Sequence, residues 1–154
     1  ECPNTNVVDP VRRIWIFTTA SLPWMTGTAV NPLLRAAFLT RGRASGLVTL
    51  AVPWLEAEDL KTLVGDGFKF DSPQHQEDFV RRWLIEDAGM EEEAGKMSII
   101  FYPARYNIGL GSVFPTNDLT ALVPQEDADV CVLEEPEHLN WYKADGPAWT
   151  DKFK

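Results

Sequence analysis

The feature that most constrains the fold is a short apolar run, followed by a helical pattern and a second apolar run. Residues 13–19 are apolar almost without interruption and rich in β-branched and aromatic side chains, which is typical of a strand buried on both faces of a parallel sheet. Residues 29–41 carry apolar side chains at helical spacing, and residues 47–52 form the next apolar run. This order predicts a βαβ unit with a right-handed crossover and parallel strands.

The remainder of the chain continues the alternation of helices and strands. The further predicted elements are a short helix at residues 56–63, a helix from Ser72 to about Asp87, and strands at residues 97–102 and 128–133. Ser72 is expected to cap its helix, with Pro73 in the first turn. Glu91, Glu92 and Glu93 are expected to form a solvated loop, because adjacent like charges usually face water.

Two features near these elements give finer expectations. Thr28 or Asn31 is the expected cap of the first long helix, and Pro32 fits a helix only within its first turn. Residues 103–127 show no pattern that predicts an element, and we interpret Gly109 and Gly111 as part of a flexible turn.

These patterns predict an α/β fold, with a Rossmann-like parallel sheet and flanking helices. The chain has 154 residues, which is enough for one domain with a core that needs no disulfide or metal. Residues 1–12 are polar, hold two prolines and lack periodicity, so we expect a linker there and a domain over residues 13–154.

Charge and composition exclude several classes of function. The chain carries 14 Lys and Arg residues against 23 Asp and Glu residues, a net charge of −9, which is the wrong sign for a surface that binds nucleic acid or anionic lipid. No apolar run approaches the roughly 18 to 20 residues of a membrane-spanning helix. Cys2 and Cys131 form no CxxC pair, and we expect Cys131 to be a buried, unreactive thiol.

The loop after the first strand is the first candidate for a binding site. In an open α/β sheet, ligands bind beyond the carboxyl ends of the strands. Gly27 there allows a close approach of the backbone, and the helix N-terminus that follows suits a phosphate or a sugar hydroxyl. An alternative is that Gly27 only permits a tight turn. Trp24 is either a platform on which a sugar stacks or a packed lid.

The acidic segment after the last strand is the second candidate. Glu134, Glu135, Glu137 and His138 bring carboxylates and an imidazole to the same edge, where they can hydrogen-bond sugar hydroxyls. The alternative is a solvated acidic loop that Pro136 bends. The ligand spacing predicts no metal site, and His75 is expected to be a surface or capping residue. Neither a dinucleotide fingerprint, a phosphate-binding loop nor a nucleophile elbow is present.

Together, the two candidate segments resemble the plant and algal digalactosyldiacylglycerol synthases, members of the family 4 retaining glycosyltransferases. The resemblance rests on residues 16–33 (IFTTASLPWMTGTAVNPL), residues 52–55 (VPWL) and residues 132–139 (VLEEPEHL) with Trp141 and Tyr142. It covers about residues 13–154, and the first stretch is far more specific than a short glycine motif.

This resemblance implies an amino-terminal, acceptor-side part of a two-domain glycosyltransferase of the GT-B type. The reaction implied is transfer of galactose from UDP-galactose to monogalactosyldiacylglycerol, at the chloroplast outer envelope, by a peripheral membrane protein without cofactor or metal. The substrate-binding residues implied are Thr26, Gly27, Thr28, Glu135 and His138, and Trp24 is added to them as the sugar platform of the first candidate segment. The last strands of the sheet, the main catalytic residues and a nucleotide-sugar domain, which would be an intramolecular partner, are then expected beyond Lys154, and the isolated piece is expected to be inactive.

Two other classes of function remain open at this point. One is a non-catalytic Rossmann-like module that recognises a lipid headgroup or a protein through a Trp-rich surface, which six tryptophans would allow. The other is a regulator that binds a nucleotide. Binding to galactolipid vesicles that does not depend on Gly27 would favour the module, and the regulator requires a nucleotide that raises the melting temperature.

Overall fold

The computed structural model describes residues 7–141 and 148–153. The strands are β1 (Ile14–Phe17), β2 (Val48–Trp54), β3 (Ser98–Asn107), β4 (Ser112–Pro115) and β5 (Val130–Leu133). The helices are α1 (Gly27–Leu39), α2 (Ala57–Val64), α3 (Pro73–Glu86), α4 (Glu91–Lys96), α5 (Pro136–Leu139) and α6 (Trp149–Lys152), with 3-10 turns at Leu119–Leu122 and Gln125–Asp127. Cys2, Tyr142, Lys154 and the first half of the expected linker lie outside the described residues.

The five described strands form one sheet in the order β4-β3-β2-β1-β5. β3, β2, β1 and β5 are parallel, and β4 pairs with β3 in the antiparallel direction. Ile14 lies opposite Val48 on one side of β1 and opposite Val130 on the other. The predicted parallel pairing of the first two strands and the predicted α/β, Rossmann-like fold class are confirmed, and the arrangement is consistent with part of the first half of a GT-B protein.

Both faces of the sheet are buried, which explains the nearly continuous apolarity of the strands. Ile14 and Ile16 belong to a core that α1, α3 and α4 cover. Trp15 and Phe17 point to the opposite face, where they pack with side chains of α2, α5 and the segment between β4 and β5. The alternation follows from the two-residue period of a strand.

Helix α1 starts earlier than the sequence predicts. Its N-cap is Thr26 rather than Thr28 or Asn31, and the Thr26 side chain makes no capping hydrogen bond. Pro32 is therefore the sixth residue of the helix and lies in its second turn, so the expectation of a first-turn position is wrong. The carbonyl of Thr28, which Pro32 leaves without its helical N–H partner, accepts a hydrogen bond from the Thr18 hydroxyl instead.

Helix α3 forms as predicted. The Ser72 side chain accepts a hydrogen bond from the backbone N–H of His75 at 3.2 Å, and Pro73 is the first helical residue. Val80 and Leu84 are buried against the sheet. The predicted cap and its proline are therefore confirmed.

The expectation of a solvated loop at the three glutamates is wrong, because they form the first turn of α4. Met90, Ala94 and Met97 are buried and anchor this short helix on the core. Carboxylates in a first turn interact favourably with the helix dipole. A hydrogen bond from the Arg41 side chain lowers the pKa of Glu93, the third member of the run.

Residues 103–127, for which the sequence predicts no element, contain the end of β3 and the whole of β4. β3 continues past Pro103 to Asn107, and β4 returns antiparallel to it. Pro103 is the last residue of β3 that pairs with β2, so its missing N–H interrupts little of that ladder. Gly111 has a φ of 63°, in the left-handed region that glycine adopts without strain, and it allows the hairpin to close.

Candidate functional site

The order of the strands places a crevice at the carboxyl ends of β1 and β5. From β1 the chain builds outward through β2 to β3, and it then returns to place β5 on the other side of β1. The connection after β1 leads into α1 on one face, whereas the connection after β5 leads into α5 on the other. A crevice opens where the connections diverge in this way, and such crevices bind ligands in open α/β sheets.

A cavity of about 500 Å³ lies in this crevice. This volume is within the range of cavities that bind small molecules, roughly 300 to 1,000 Å³. Five of the six residues predicted to bind substrate line it: Trp24, Thr26, Thr28, Glu135 and His138. Gly27 is not among the lining residues.

Glu135 joins the ends of β1 and β5. Its Oε2 atom accepts a hydrogen bond from the backbone N–H of Thr19 at 2.9 Å and lies 3.5 Å from the Thr18 hydroxyl oxygen. Its Oε1 atom has no hydrogen-bond partner among the described residues. The side chain therefore has one oxygen held by the sheet and one that can accept a hydrogen bond from a ligand in the cavity.

The neighbouring Glu134 has a different role. Its carboxylate forms an ion pair with Arg35 of α1, and its backbone N–H donates to the carbonyl of Phe17. Consecutive residues at the end of a strand point in opposite directions. Glu134 therefore binds α1, whereas Glu135 lines the cavity, as the resemblance implied for Glu135.

Tyr102 supports the end of β1 from within the core. Its side chain is fully buried, and its hydroxyl donates to the backbone carbonyl of Thr18 at 2.7 Å. Burial, and secondarily the negative charge of Glu135, raises the pKa of Tyr102 well above its usual range. The phenol therefore stays neutral and keeps donating this hydrogen bond.

A side-chain hydrogen bond from Thr18 replaces the backbone hydrogen bond that Pro32 removes from the start of α1. Pro32 has no N–H to donate to the carbonyl of Thr28, its partner four residues earlier. The buried Thr18 hydroxyl donates to this carbonyl instead, at 2.8 Å. Thr18 thus contacts both the first turn of α1 and the carboxylate of Glu135, and it links the two predicted segments.

The first turn of α1 presents hydroxyl and N–H groups next to the cavity. The hydroxyls of Thr26 and Thr28 are 2.9 Å apart and share one hydrogen bond. The N–H groups of Gly27 and Thr28 have no hydrogen-bond partner among the described residues. The φ of Gly27 is not positive, and a Cβ atom there would only touch the side chain of Asn31 at 3.5 Å. The backbone geometry around Gly27 therefore does not require glycine.

The rings of Trp24 and His138 also contribute to the cavity lining. Trp24 is 7% exposed and packs in the second core, and part of its surface also lines the cavity. The ring of His138 contacts Phe114 edge to face, with 5.1 Å between centroids, and Phe114 contacts Trp141 at 4.8 Å. Neither ring nitrogen of His138 has a hydrogen-bond partner within the ranges described, so the imidazole can donate to or accept from a ligand.

Several lining residues were missed at the sequence level. They come from the end of β1, from α2 and the segment after it, and from the β3–β4 hairpin: Thr19, Ala20, Leu63, Val64, Phe68, Tyr106, Ser112 and Val113. The hairpin could have been predicted, since a glycine-containing turn stands between two runs with apolar alternation. No local signal places α2 or Phe68 near the end of β5.

The structure also places the histidine, the cysteine and the tryptophans that the sequence analysis discussed. His75 is half exposed and lies in the cap of α3, as expected of a surface or capping residue. Cys131 is a free thiol in β5, and burial raises its pKa to about 12. Of the six tryptophans, only Trp141 is largely exposed, so the Trp-rich surface of the binding-module hypothesis is absent from the described residues.

The described ranges hold neither a cluster of metal-ligating side chains nor a membrane-spanning helix. In residues 7–141 and 148–153, no group of three or more His, Cys, Asp or Glu side chains is arranged to hold a metal ion. Among the helices of those ranges, none has the length and apolarity to cross a membrane.

Comparison with known proteins finds relatives over nearly the whole chain. The chain is 48% identical over 142 residues to digalactosyldiacylglycerol synthase 1, chloroplastic, from Arabidopsis thaliana, which covers 92% of the chain and 17% of the relative. It is 47% identical over 146 residues to synthase 1 of Glycine max, and 44% identical over 142 residues to synthase 2 of Arabidopsis thaliana, where it covers 29% of the relative. No protein-family model matches the chain.

These similarities confirm the resemblance that the motifs indicated. The matched regions cover 92% to 96% of this chain, but the chain spans only between 17% and 31% of the length of these relatives. The chain is thus similar to one segment of digalactosyldiacylglycerol synthases, which are described as chloroplastic.

Proposed function

We propose that this chain forms the acceptor-side part of a galactosyltransferase that transfers galactose from UDP-galactose to monogalactosyldiacylglycerol. The observation that carries the proposal is the cavity at the ends of β1 and β5, which has the anchored carboxylate of Glu135 at its edge. The names of the relatives support galactolipid synthesis as the process. The product of the proposed reaction is digalactosyldiacylglycerol.

The polar groups of the cavity suit a sugar better than a nucleotide. Glu135 and His138 offer hydrogen-bond acceptors and donors, and the threonine hydroxyls of the α1 turn offer both. The cavity also has apolar walls from Trp24 and Val113, against which the carbon face of a sugar ring can pack. We therefore assign to this cavity the galactose headgroup of the acceptor lipid.

The transfer breaks the bond between the galactose C1 atom and the diphosphate, and it forms a bond between C1 and an oxygen of the acceptor headgroup. In this step the acceptor hydroxyl passes its proton to the carboxylate that accepts its hydrogen bond, and the departing diphosphate takes the electron pair of the broken bond and gains negative charge. Glu135 is expected to orient the acceptor hydroxyl by accepting its hydrogen bond. The partial positive charge at the N-terminus of α1, where Gly27 and Thr28 present N–H groups, is expected to stabilise the diphosphate.

The remaining parts of the reaction are proposed to lie in a second domain that binds the nucleotide sugar. We expect UDP-galactose as the donor, no additional cofactor and no nucleic-acid partner. We also expect a peripheral position on the outer chloroplast envelope; the names of the relatives support the chloroplast as the compartment.

Headgroup binding tests the assignment of the cavity. We expect galactosylglycerol, added to the isotope-labelled chain, to shift the NMR signals of Thr19, Glu135 and His138. Glu135→Gln removes a charge-assisted hydrogen bond and should weaken binding about tenfold. The matched control is Glu137→Gln on the exposed side of α5, which should bind like the unaltered chain. Shifts that cluster away from the cavity, or equal affinity of both variants, would contradict the assignment.

A chimera tests the activity. The corresponding segment of the Arabidopsis synthase 1 is replaced by this chain, and transfer of labelled galactose from UDP-galactose into digalactolipid is measured. We expect product from the chimera and a strong loss with Glu135→Gln. If the Arabidopsis protein is active and the well-folded chimera makes no product, the proposed function is wrong.

A further inference from the structure

Exposed apolar side chains lie in the cavity lining or in the segments that border it. Met25 and Phe68 line it and are 66% and 38% exposed. Ile108 and Leu110 are 76% and 55% exposed in the hairpin turn directly before Gly111, which also lines the cavity. We call these four residues and Trp141, which is 63% exposed, the apolar rim.

The turn that carries the most exposed part of the rim has a defined conformation. The backbone N–H of Leu110 donates to the side chain of Asn107 at 3.0 Å, and Gly111 adopts its left-handed conformation. Ile108 and Leu110 therefore project from a structured turn at the end of a paired hairpin. Exposing two large apolar side chains costs free energy in water, and grouped exposed apolar residues usually mark an interaction surface.

The charge pattern indicates which surface the rim contacts. The chain has a net charge of −9, yet no Asp, Glu, Lys or Arg occurs between Arg13 and Arg35 or between Arg105 and Asp118. These two uncharged stretches supply Met25, Ile108 and Leu110. A protein that binds an anionic membrane usually presents basic side chains to it, and a negatively charged protein is repelled by such a membrane. The uncharged stretches around the rim therefore suit a membrane whose lipids carry no charge.

We propose that the apolar rim inserts into the headgroup layer of a bilayer of uncharged glycolipids, with the cavity mouth facing the membrane. Trp141 suits this position, because an indole ring favours the boundary between apolar and polar regions. A headgroup then reaches Glu135 and His138 while its acyl chains stay in the bilayer. This inference rests on the proposed function, since it takes a membrane lipid as the ligand of the cavity.

Vesicle flotation tests the rim directly. The purified chain is mixed with vesicles of monogalactosyldiacylglycerol in phosphatidylcholine, and the bound fraction is measured. The double variant Ile108→Ser/Leu110→Ser is expected to bind about tenfold more weakly, because two apolar side chains no longer leave water. Unchanged binding by this variant, or no binding by the unaltered chain, would overturn the proposal.

The control is a double variant of equal chemistry at the other end of the sheet, Val11→Ser/Ile85→Ser. Val11 is 73% exposed and precedes the amino end of β1. Ile85 is 41% exposed and lies in the last turn of α3, whose first turns contact the β1–α1 loop through a bond from Gln76 to Leu22. The control is expected to bind vesicles like the unaltered chain, and an equal loss of binding in both variants would contradict a specific rim.

Three further measurements test how the rim meets the membrane. Quenching by brominated acyl chains should fall when Trp141 is replaced by Phe, and equal quenching would argue against insertion there. Binding that requires anionic lipid and disappears in high salt would overturn the uncharged surface. A dimer in sedimentation that the Ile108→Ser/Leu110→Ser variant abolishes would show that a second copy covers the rim instead.

The chimera separates this inference from the proposed function. Transfer to water-soluble galactosylglycerol requires the cavity but no membrane. The Ile108→Ser/Leu110→Ser chimera should keep this transfer and lose transfer to vesicle-bound lipid. Loss of both reactions by a folded variant would overturn the separate role of the rim, and failure of the unaltered chimera on the soluble acceptor would refute the proposed function alone.

Discussion

Replacement of Thr18 by Val tests how the two halves of the site are joined. Val has nearly the shape of Thr but lacks the hydroxyl, which donates to the carbonyl of Thr28 at 2.8 Å and accepts from the N–H of Ala20 at 3.3 Å. Thr18 is fully buried, so its loss leaves both groups without this partner. We expect the free energy of unfolding to fall by about 1–3 kcal/mol.

Urea denaturation followed by circular dichroism measures this change. The matched control is Thr19→Val at the next residue, whose hydroxyl makes no hydrogen bond to the residues described. Thr19 is also buried, but its replacement keeps the side-chain shape and removes no such hydrogen bond, so the control should lower the free energy of unfolding clearly less than Thr18→Val does. If Thr18→Val is as stable as Thr19→Val, the Thr18 hydroxyl does not hold α1.

A double-mutant cycle with Pro32→Ala isolates the cause. The alanine of this variant supplies the N–H that Pro32 lacks, so the carbonyl of Thr28 gains a partner within the helix. Thr18→Val should therefore cost about 1 kcal/mol less in the Pro32→Ala background than in the presence of the proline. Equal costs in both backgrounds would refute the explanation that Thr18 replaces the hydrogen bond lost to Pro32.

The two remaining predictions concern the support of the sheet and the start of a helix. Tyr102→Phe removes the hydrogen bond to Thr18 and should lower the free energy of unfolding by about 1 kcal/mol at neutral pH. Since the pKa of Tyr102 is raised in the folded state, its contribution to the free energy of unfolding is complete below the pKa of an unfolded tyrosine, about 10, and is lost as the pH rises above that value. The difference in stability between the unaltered chain and Tyr102→Phe should therefore shrink in urea titrations at alkaline pH. Ser72→Ala should cost about 1 kcal/mol by removing the cap of α3, and Gln74→Ala, on the exposed first turn, should cost clearly less in the same titration. A constant Tyr102 difference from neutral to alkaline pH, or equal effects of the two α3 variants, would contradict these assignments.

Local sequence was sufficient where one element buries a continuous face. The apolar run of β1 and the spacing in α3 predicted strand and helix correctly, because burial on both faces or along one stripe leaves a direct pattern in the residues. Ser72 and Pro73 defined the start of α3 for a similarly local reason. Local reasoning failed at α4, where the buried residues Met90, Ala94 and Met97 outweigh the charge of three glutamates.

The candidate site divides in the same way. The sequence by itself determined that polar groups follow β1 and β5, and that a short loop and an acidic segment meet at the carboxyl edge of a parallel sheet. Only the tertiary structure decided that Glu134 pairs with Arg35 of α1, and that Thr18 and Tyr102 support the strand end that holds Glu135. It also brought Phe68 and the β3–β4 hairpin to the same cavity. The physical reason is that a pattern along the chain records which residues are buried, whereas contacts between distant residues depend on strand order and on the direction in which each strand ends.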